Sequence, residues 1–487
     1  MHHRKLWQLM ASLGEEERMR FGRWLDAELG TRQQFVRQLA ARLLEAQEAP
    51  ASLQLWQHLY PGAPYDDARM RKLFRDLTAH VEEFLAIETF RSDRAMRDAY
   101  LLAALNTRGI DEVFIRQYRH TQLQLRSKTL LREDDYWILL KLEEELYRFH
   151  VKHPGKRSTA ASYFSPGFWS ERFQEIHRYL DRFWISKHLR ILVAMTFRMP
   201  GYAGSLTPMH EAGMELAQEP ALEAGDLLIR IWNGCYRLQA EPSEARAEEV
   251  YRLAQAHEAH LSAPDLQAIH GVLFNDTIQR MARTGEAGLA ARALELLDWG
   301  IRGRFLLFNG VLPATYYRNS IALSLRLHDY SRARQYLDTL TPLLDPDEQE
   351  ETRDLGLAML YYQQGAYAEL FRLTASRRFR NVQYELNVRT LLLQAHYESG
   401  EADQAWLSDM VNGLIRYVRS RRNLAPAYQK AYLNRLRLLL RLIGADSLQD
   451  LRRLEDSLAR TRPIDNPEWL RQKIARKREQ LAAGRTY

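Results

Sequence analysis

A single cysteine, Cys235 in IWNGCYRL, is the only thiol in the chain. It excludes an internal disulfide framework and a cysteine-based metal cluster, and its apolar setting reads as a small core residue. Glycine and proline are scarce, 24 and 16 among 487 residues, which argues against an all-β protein built on many tight turns. No window approaches about 18 apolar residues without charge, so no segment reads as a membrane span. The opening residues, MHHRKLWQLMASLGEEERM, carry no long apolar run ahead of their acids, unlike a secretory signal, and a cytoplasmic location is the expectation. No glycine-rich phosphate loop and no Ser or Cys nucleophile motif is present. The expectation is a non-enzyme without a cofactor.

What is present is helix-forming. Hydrophobic residues make up 46% of the chain and charged residues 27%, and Leu, Ala, Arg and Glu are prominent. An all-α protein is expected, with an N-terminal helical module over 1–95. Amphipathic helical hairpins follow over 96–265, with a long loop near 154–168 (PGKRSTAASYFSPGF) and a second interruption at RMPGYAGSLTP (198–208). A helical-repeat region then occupies 266–487.

In the first module, Leu6, Leu9, Met10 and Leu13 recur at helical spacing. SLGEEER suggests a cap at Ser12 with acids in the first turn, and a third helix is expected from Thr31. Pro61 and Pro64 mark a loop, after which Asp66 or Asp67 caps a long helix. Its apolar stripe is Met70, Leu73, Phe74, Leu77, Val81, Phe84 and Leu85, with Arg69, Arg71, Lys72 and Arg75 elsewhere on the helix.

Three segments share one pattern: SIALSLRLHDYSRARQYL (320–337), LGLAMLYYQQGAYAELFRL (355–373) and TLLLQAHYESGEADQAWL (390–407). Aligning them on His328, Gly365 and Gly400 gives periods of 37 and 35 residues, with Ala333, Leu370 and Ala405 opening the second helix. A weaker copy turns at Gly285. This pattern predicts a curved solenoid of stacked helix-turn-helix repeats of tetratricopeptide-like period, a shape suited to holding another chain.

The net charge of +7 is unevenly placed. Residues 371–487 hold 23 Lys and Arg against 12 Asp and Glu, an excess of 11, so the rest of the chain sums to −4. RLTASRRFRNVQY contributes Arg377, Arg378 and Arg380. GLIRYVRSRRNLAPAYQKAYLNRLRLLLRL contributes Arg416, Arg419, Arg421, Arg422, Lys430, Arg435, Arg437 and Arg441, with Tyr417, Tyr428 and Tyr432 interleaved. Arginines among aromatics suit an acidic protein partner or nucleic acid, and they equally suit ion pairs between neighbouring helices. Arg377, Arg378, Arg380, Arg416, Arg419, Arg421 and Arg422 are the candidate partner-binding set. Arg69, Arg71, Lys72, Arg75, Arg435 and Arg437 are the candidates for nucleic acid. Lys473, Arg476, Lys477 and Arg478 near the end of the last helix suit its dipole without a ligand. His150 and His153, downstream of Glu143, Glu144 and Glu145, have half the spacing of a metal site without a second half, so no metal is expected.

The stretches LYPGAPYDDARMRKLFRDLTAHVEEFLAIE, WGIRGRFLLFNGVLPATYYRNSIALSLRLHDYSRARQYL and NVQYELNVRTLLLQAHYESGEADQAW resemble a group of uncharacterised helical-repeat proteins of Bacteroidota-type bacteria, over most of the chain up to WLRQKI (469–474). That likeness implies the fold and a bacterial cytoplasmic setting. LWQHLYPGAPYDDARMRKLFRDLTAHV is similar to the helical part of the winged-helix domain in bacterial activators that carry tetratricopeptide repeats. That likeness implies DNA reading by Arg69, Arg71, Lys72 and Arg75 and a β-hairpin after the helix. The chain instead continues EEFLAIETFRSDRAMRDAYLLAAL, a helical pattern. The reading is therefore a scaffold for a protein partner, with a nucleic-acid-associated protein as the alternative.

Overall fold

The computed structural model describes residues 2–30, 33–152, 166–198, 226–375, 377–400, 402–421 and 424–483. Among these residues the chain is helical throughout, without a strand; a single β-bridge joins Phe308 and Val311. The chain divides into two compact units, Met1–Leu192 with Gly204–Asn233, and Val193–Ala203 with Gly234–Tyr487.

The first unit opens with α1 (His2–Ser12), α2 (Glu15–Leu29), α3 (Gln34–Glu45), α4 (Ser52–Leu59) and α5 (Asp67–Ser92). Ser12 closes α1 and does not cap α2. Gly14 precedes α2, and its N–H donates to Glu17 Oε2 at 2.9 Å. Thr31 lies outside the described residues, and α3 begins at Gln34. Asp66 caps α5, accepting from the Arg69 N–H at 3.0 Å. Met70, Leu73, Phe74, Leu77, Val81 and Phe84 are buried and Leu85 half-buried, against Leu6, Met10, Phe21 and Leu39. Burying each such side chain contributes about 1.5–3 kcal/mol.

Next come α6 (Arg94–Arg108), α7 (Asp111–Arg126), α8 (Glu133–Lys152) and α9 (Pro166–Arg198). They form a second core around Leu102, Phe114, Tyr136, Leu139 and Leu146, so the hydrophobic core changes near residue 95. Residues 153–165 and 199–225 lie outside the described residues, and with them most of both expected loops. Pro166–Phe168, expected in the first loop, open α9 instead.

After α10 (Leu227–Ala240) and α11 (Glu244–Ala256), the second unit is a run of helical hairpins. These are α12 (Ala263–Thr284) with α13 (Ala287–Arg302), α14 (Ala314–Arg326) with α15 (Tyr330–Leu340), and α16 (Gln349–Gln363) with α17 (Tyr367–Ala375). Then follow α18 (Val382–Ser399) with α19 (Gln404–Ser420), α20 (Pro426–Ile443) with α21 (Leu448–Arg460), and a last helix, α22 (Pro467–Ala482). The two helices of each pair pack together, and α14, α16 and α18 pack on one another in series.

The turns explain why the pattern was readable. His328, Gly365, Gly400 and Gly285 hold left-handed φ of 57°, 69°, 70° and 71°. In two of them the chain reverses with the same bond: Asp329 N–H donates to Ser324 O and Ala366 N–H to Tyr361 O, each at 2.9 Å. The residue five beyond the turn is fully buried as Ala290, Ala333 and Leu370. Ala405 departs from this and is exposed. Helices α13, α15 and α17 start two residues after the turn residue, whereas α19 starts four after Gly400. The two additional turn residues shift the register, and Leu407 takes the buried place.

Candidate partner-binding surface

The helices alternate in direction, so the connections between pairs share one edge of the array. Residues 377–381, 421 and 424–425 lie there. Gln383 Nε2 donates to Tyr428 Oη at 3.2 Å, and Gln429 Nε2 to Val418 O at 2.9 Å, which ties the starts of α18 and α20 to the end of α19. Arg378, Arg380 and Arg419 are exposed on or beside this edge, and Arg416 is exposed one turn earlier on α19. None of the four has an ion pair or hydrogen bond among the described residues. Arg377 is different, because it pairs with Glu350 and with Asp354 at 2.9 Å. Arg421 lies 4.3 Å from the Tyr417 ring centroid and Arg389 4.2 Å from it. Arg422 lies outside the described residues.

The residues expected to meet nucleic acid are scattered. Arg435 is 4% exposed and bonds Asp465 at 2.5 Å, so its charge is committed within the helix packing and not offered to a phosphate. Arg437 is exposed on α20. On α5, Arg69 sits 4.3 Å over the Tyr60 ring, Arg71 pairs with Asp67 at 2.9 Å, Arg75 reaches Asp76 at 3.8 Å, and Lys72 is exposed. Helix α5 runs on to Ser92 and α6 starts at Arg94, so the β-hairpin implied by the winged-helix likeness is missing there. Phe84 explains this, since it is buried in the core on the helical stripe of α5.

The acids near His150 are engaged elsewhere. Glu143 accepts from Tyr118 and Arg172, Glu144 from Lys141, and Glu145 from Asn106 and Arg148. His153 lies outside the described residues, and among those described no group of three potential ligands is placed to hold a metal. Cys235 is fully buried, and burial pushes its thiol up to about 12.

Sequence spacing did not reveal a second polar centre, built on Glu398. Its carboxylate accepts from Tyr362 Oη at 2.6 Å, Tyr367 Oη at 2.9 Å, Trp469 Nε1 at 2.7 Å and Lys473 Nζ at 2.8 Å. Burial acts to raise its pKa, but the bonds from Lys473, Tyr362 and Trp469 outweigh burial and hold it below the usual 4.5. Lys477 donates to Leu442 O at 2.9 Å and Ile443 O at 3.0 Å, closing the end of α20, and burial lowers its pKa. Arg478 pairs with Glu455 at 3.1 Å. Three of the four cations read as partners of the α22 dipole are therefore bonded to other helices.

Comparison with protein-family models, with curated proteins and with solved structures finds no match.

Proposed function

We propose that the chain is a non-catalytic scaffold whose tetratricopeptide-like hairpins hold an acidic segment of another protein. The observation that carries the reading is the set Arg378, Arg380, Arg416 and Arg419, exposed near one edge of the array without an acidic partner among the described residues. Guanidinium groups bind carboxylates through paired, charge-assisted hydrogen bonds. An exposed pair contributes only about 0.2–1 kcal/mol, so recognition needs several arginines acting together on a rigid helical frame.

The aromatic residues favour a protein over nucleic acid. Tyr417 already carries Arg389 and Arg421, Tyr432 is 3% exposed, and Tyr428 packs against Tyr432 with ring centroids 4.9 Å apart. Base stacking needs an open ring face; Tyr432 is buried and Tyr417 already carries two guanidinium groups, which leaves only the half-buried Tyr428. The likeness to helical-repeat proteins of Bacteroidota-type bacteria accords with a cytoplasmic scaffold.

The test is affinity purification from the native cell after nuclease treatment, comparing the wild type with the triple variant R378E/R380E/R419E. A stoichiometric protein partner lost in the variant, with the helical CD spectrum unchanged, supports the reading. Loss of every co-purifying component on nuclease treatment alone overturns it in favour of nucleic acid.

A further inference from the structure

An open cleft of about 590 Å³ lies between the end of α11, the start of α12 and the turn after α13, within the size range of small-molecule sites. Segments 255–266 and 303–305 form it, and both are described without a gap. Ala256, Ala259, Leu261, Leu266 and Phe305 give it apolar walls. Its charged wall residues are Glu258 and Arg304.

Glu258 is held in place from one side only. Trp299 Nε1 donates to its Oε2 at 2.9 Å, and Oε1 has no hydrogen-bond partner among the described residues. Gly303 makes room for that free oxygen. A Cβ at 303 would stand 2.7 Å from Oε1 and 3.0 Å from Phe305 Cδ1, whereas the φ of −71° there suits any residue. Arg304 follows with a left-handed φ of 59°, a conformation that costs an arginine energy and a glycine none. Residues held in such conformations cluster at ligand sites. The exposed Arg304 side chain has no hydrogen bond or ion pair among the described residues, and it makes none with Glu258.

One cleft therefore holds one unpaired carboxylate oxygen and one unpaired guanidinium above apolar surface. A ligand with a single charge would satisfy one of them and leave the other without a partner. A zwitterion satisfies both. We infer that the cleft binds a free α-amino acid with a branched aliphatic side chain. Its ammonium donates to Glu258 Oε1, its carboxylate accepts from Arg304, and its side chain lies against Leu261, Leu266 and Phe305. The site shares no residue with the basic edge proposed to hold a protein.

The test is isothermal titration of the full chain with L-leucine and with two analogues that each lack one charge, 4-methylpentanoate and 3-methylbutylamine. L-Leucine is expected to bind, and each analogue to bind about tenfold more weakly or worse. Glu258→Gln keeps an acceptor for Trp299 but removes the charge, and is expected to weaken L-leucine by a similar factor. Arg304→Gly removes the guanidinium and suits the left-handed φ, so it is expected to weaken L-leucine likewise while the chain unfolds at the same or a higher temperature. The CD spectrum of each variant checks folding. No heat from L-leucine, an analogue that binds as well as L-leucine, or an affinity unchanged in either folded variant overturns the inference.

Discussion

Trp469 donates its indole N–H to the Glu398 carboxylate at 2.7 Å, joining α22 to α18 across 71 residues of chain. Lys473, one turn further along α22, reaches the same carboxylate at 2.8 Å with both side chains less than a fifth exposed. Removing one member of such a pair strands the other charge. Glu398→Gln is expected to cost roughly 2–4 kcal/mol at pH 7, read as a lower urea midpoint.

The same carboxylate fixes a pH dependence. It is held below its ordinary 4.5 when folded, so the unfolded chain binds its proton more readily. The stabilisation is complete above pH 4.5 and is lost as pH falls through the folded value. Urea midpoints measured below pH 4.5 should therefore fall less in Glu398→Gln than in the wild type. Equal slopes would contradict the geometry.

His270 has the opposite chemistry and the same direction. It is fully buried among Phe274, Trp299, Phe305 and Tyr316, and burial lowers its pKa from 6.5 to about 4. The folded state keeps it neutral while the unfolded chain protonates near 6.5. Its contribution is complete above pH 6.5 and falls by about 3 kcal/mol as the pH drops to 4. His270→Phe should flatten the stability curve across that window.

The turns make a backbone prediction. Nothing lies within 4 Å of a Cβ built on Gly365, so Gly365→Ala tests only the left-handed φ and should cost about 1 kcal/mol. His328 adopts the same conformation at φ 57°, and His328→Gly should recover a few tenths of a kcal/mol. Thermal unfolding of the two variants should therefore shift in opposite directions.

Gly356 sets how closely α16 approaches the preceding hairpin. A Cβ there would stand 2.8 Å from Ile321 Cδ1 and 2.8 Å from Leu337 Cδ2. Gly356→Val should overpack this contact and cost about 1–3 kcal/mol, seen as a lower Tm.

The helical hairpins were legible because their turns depend on local rules: a left-handed residue at 285, 328, 365 and 400, with apolar spacing on either side. The stripe of α5 was legible for the same reason. The register of α19 was not, because two additional turn residues leave the period nearly unchanged while moving burial from Ala405 to Leu407. The charges were harder still. Arg435 and Arg437 stand two residues apart on α20 and so face opposite sides of it: Arg435 lies on the buried stripe and pairs with Asp465, a partner from a distant loop, while Arg437 is exposed. The Glu398 centre draws on Tyr362, Tyr367, Trp469 and Lys473, which no local spacing brings together.

The most direct test of the scaffold reading is fluorescence anisotropy of the purified chain with a labelled oligoglutamate peptide and a labelled single-stranded oligonucleotide of equal charge, in physiological salt. The peptide is expected to bind, R378E/R380E/R419E to remove that binding, and the oligonucleotide to bind more weakly. Tight oligonucleotide binding with no response to the peptide would contradict it.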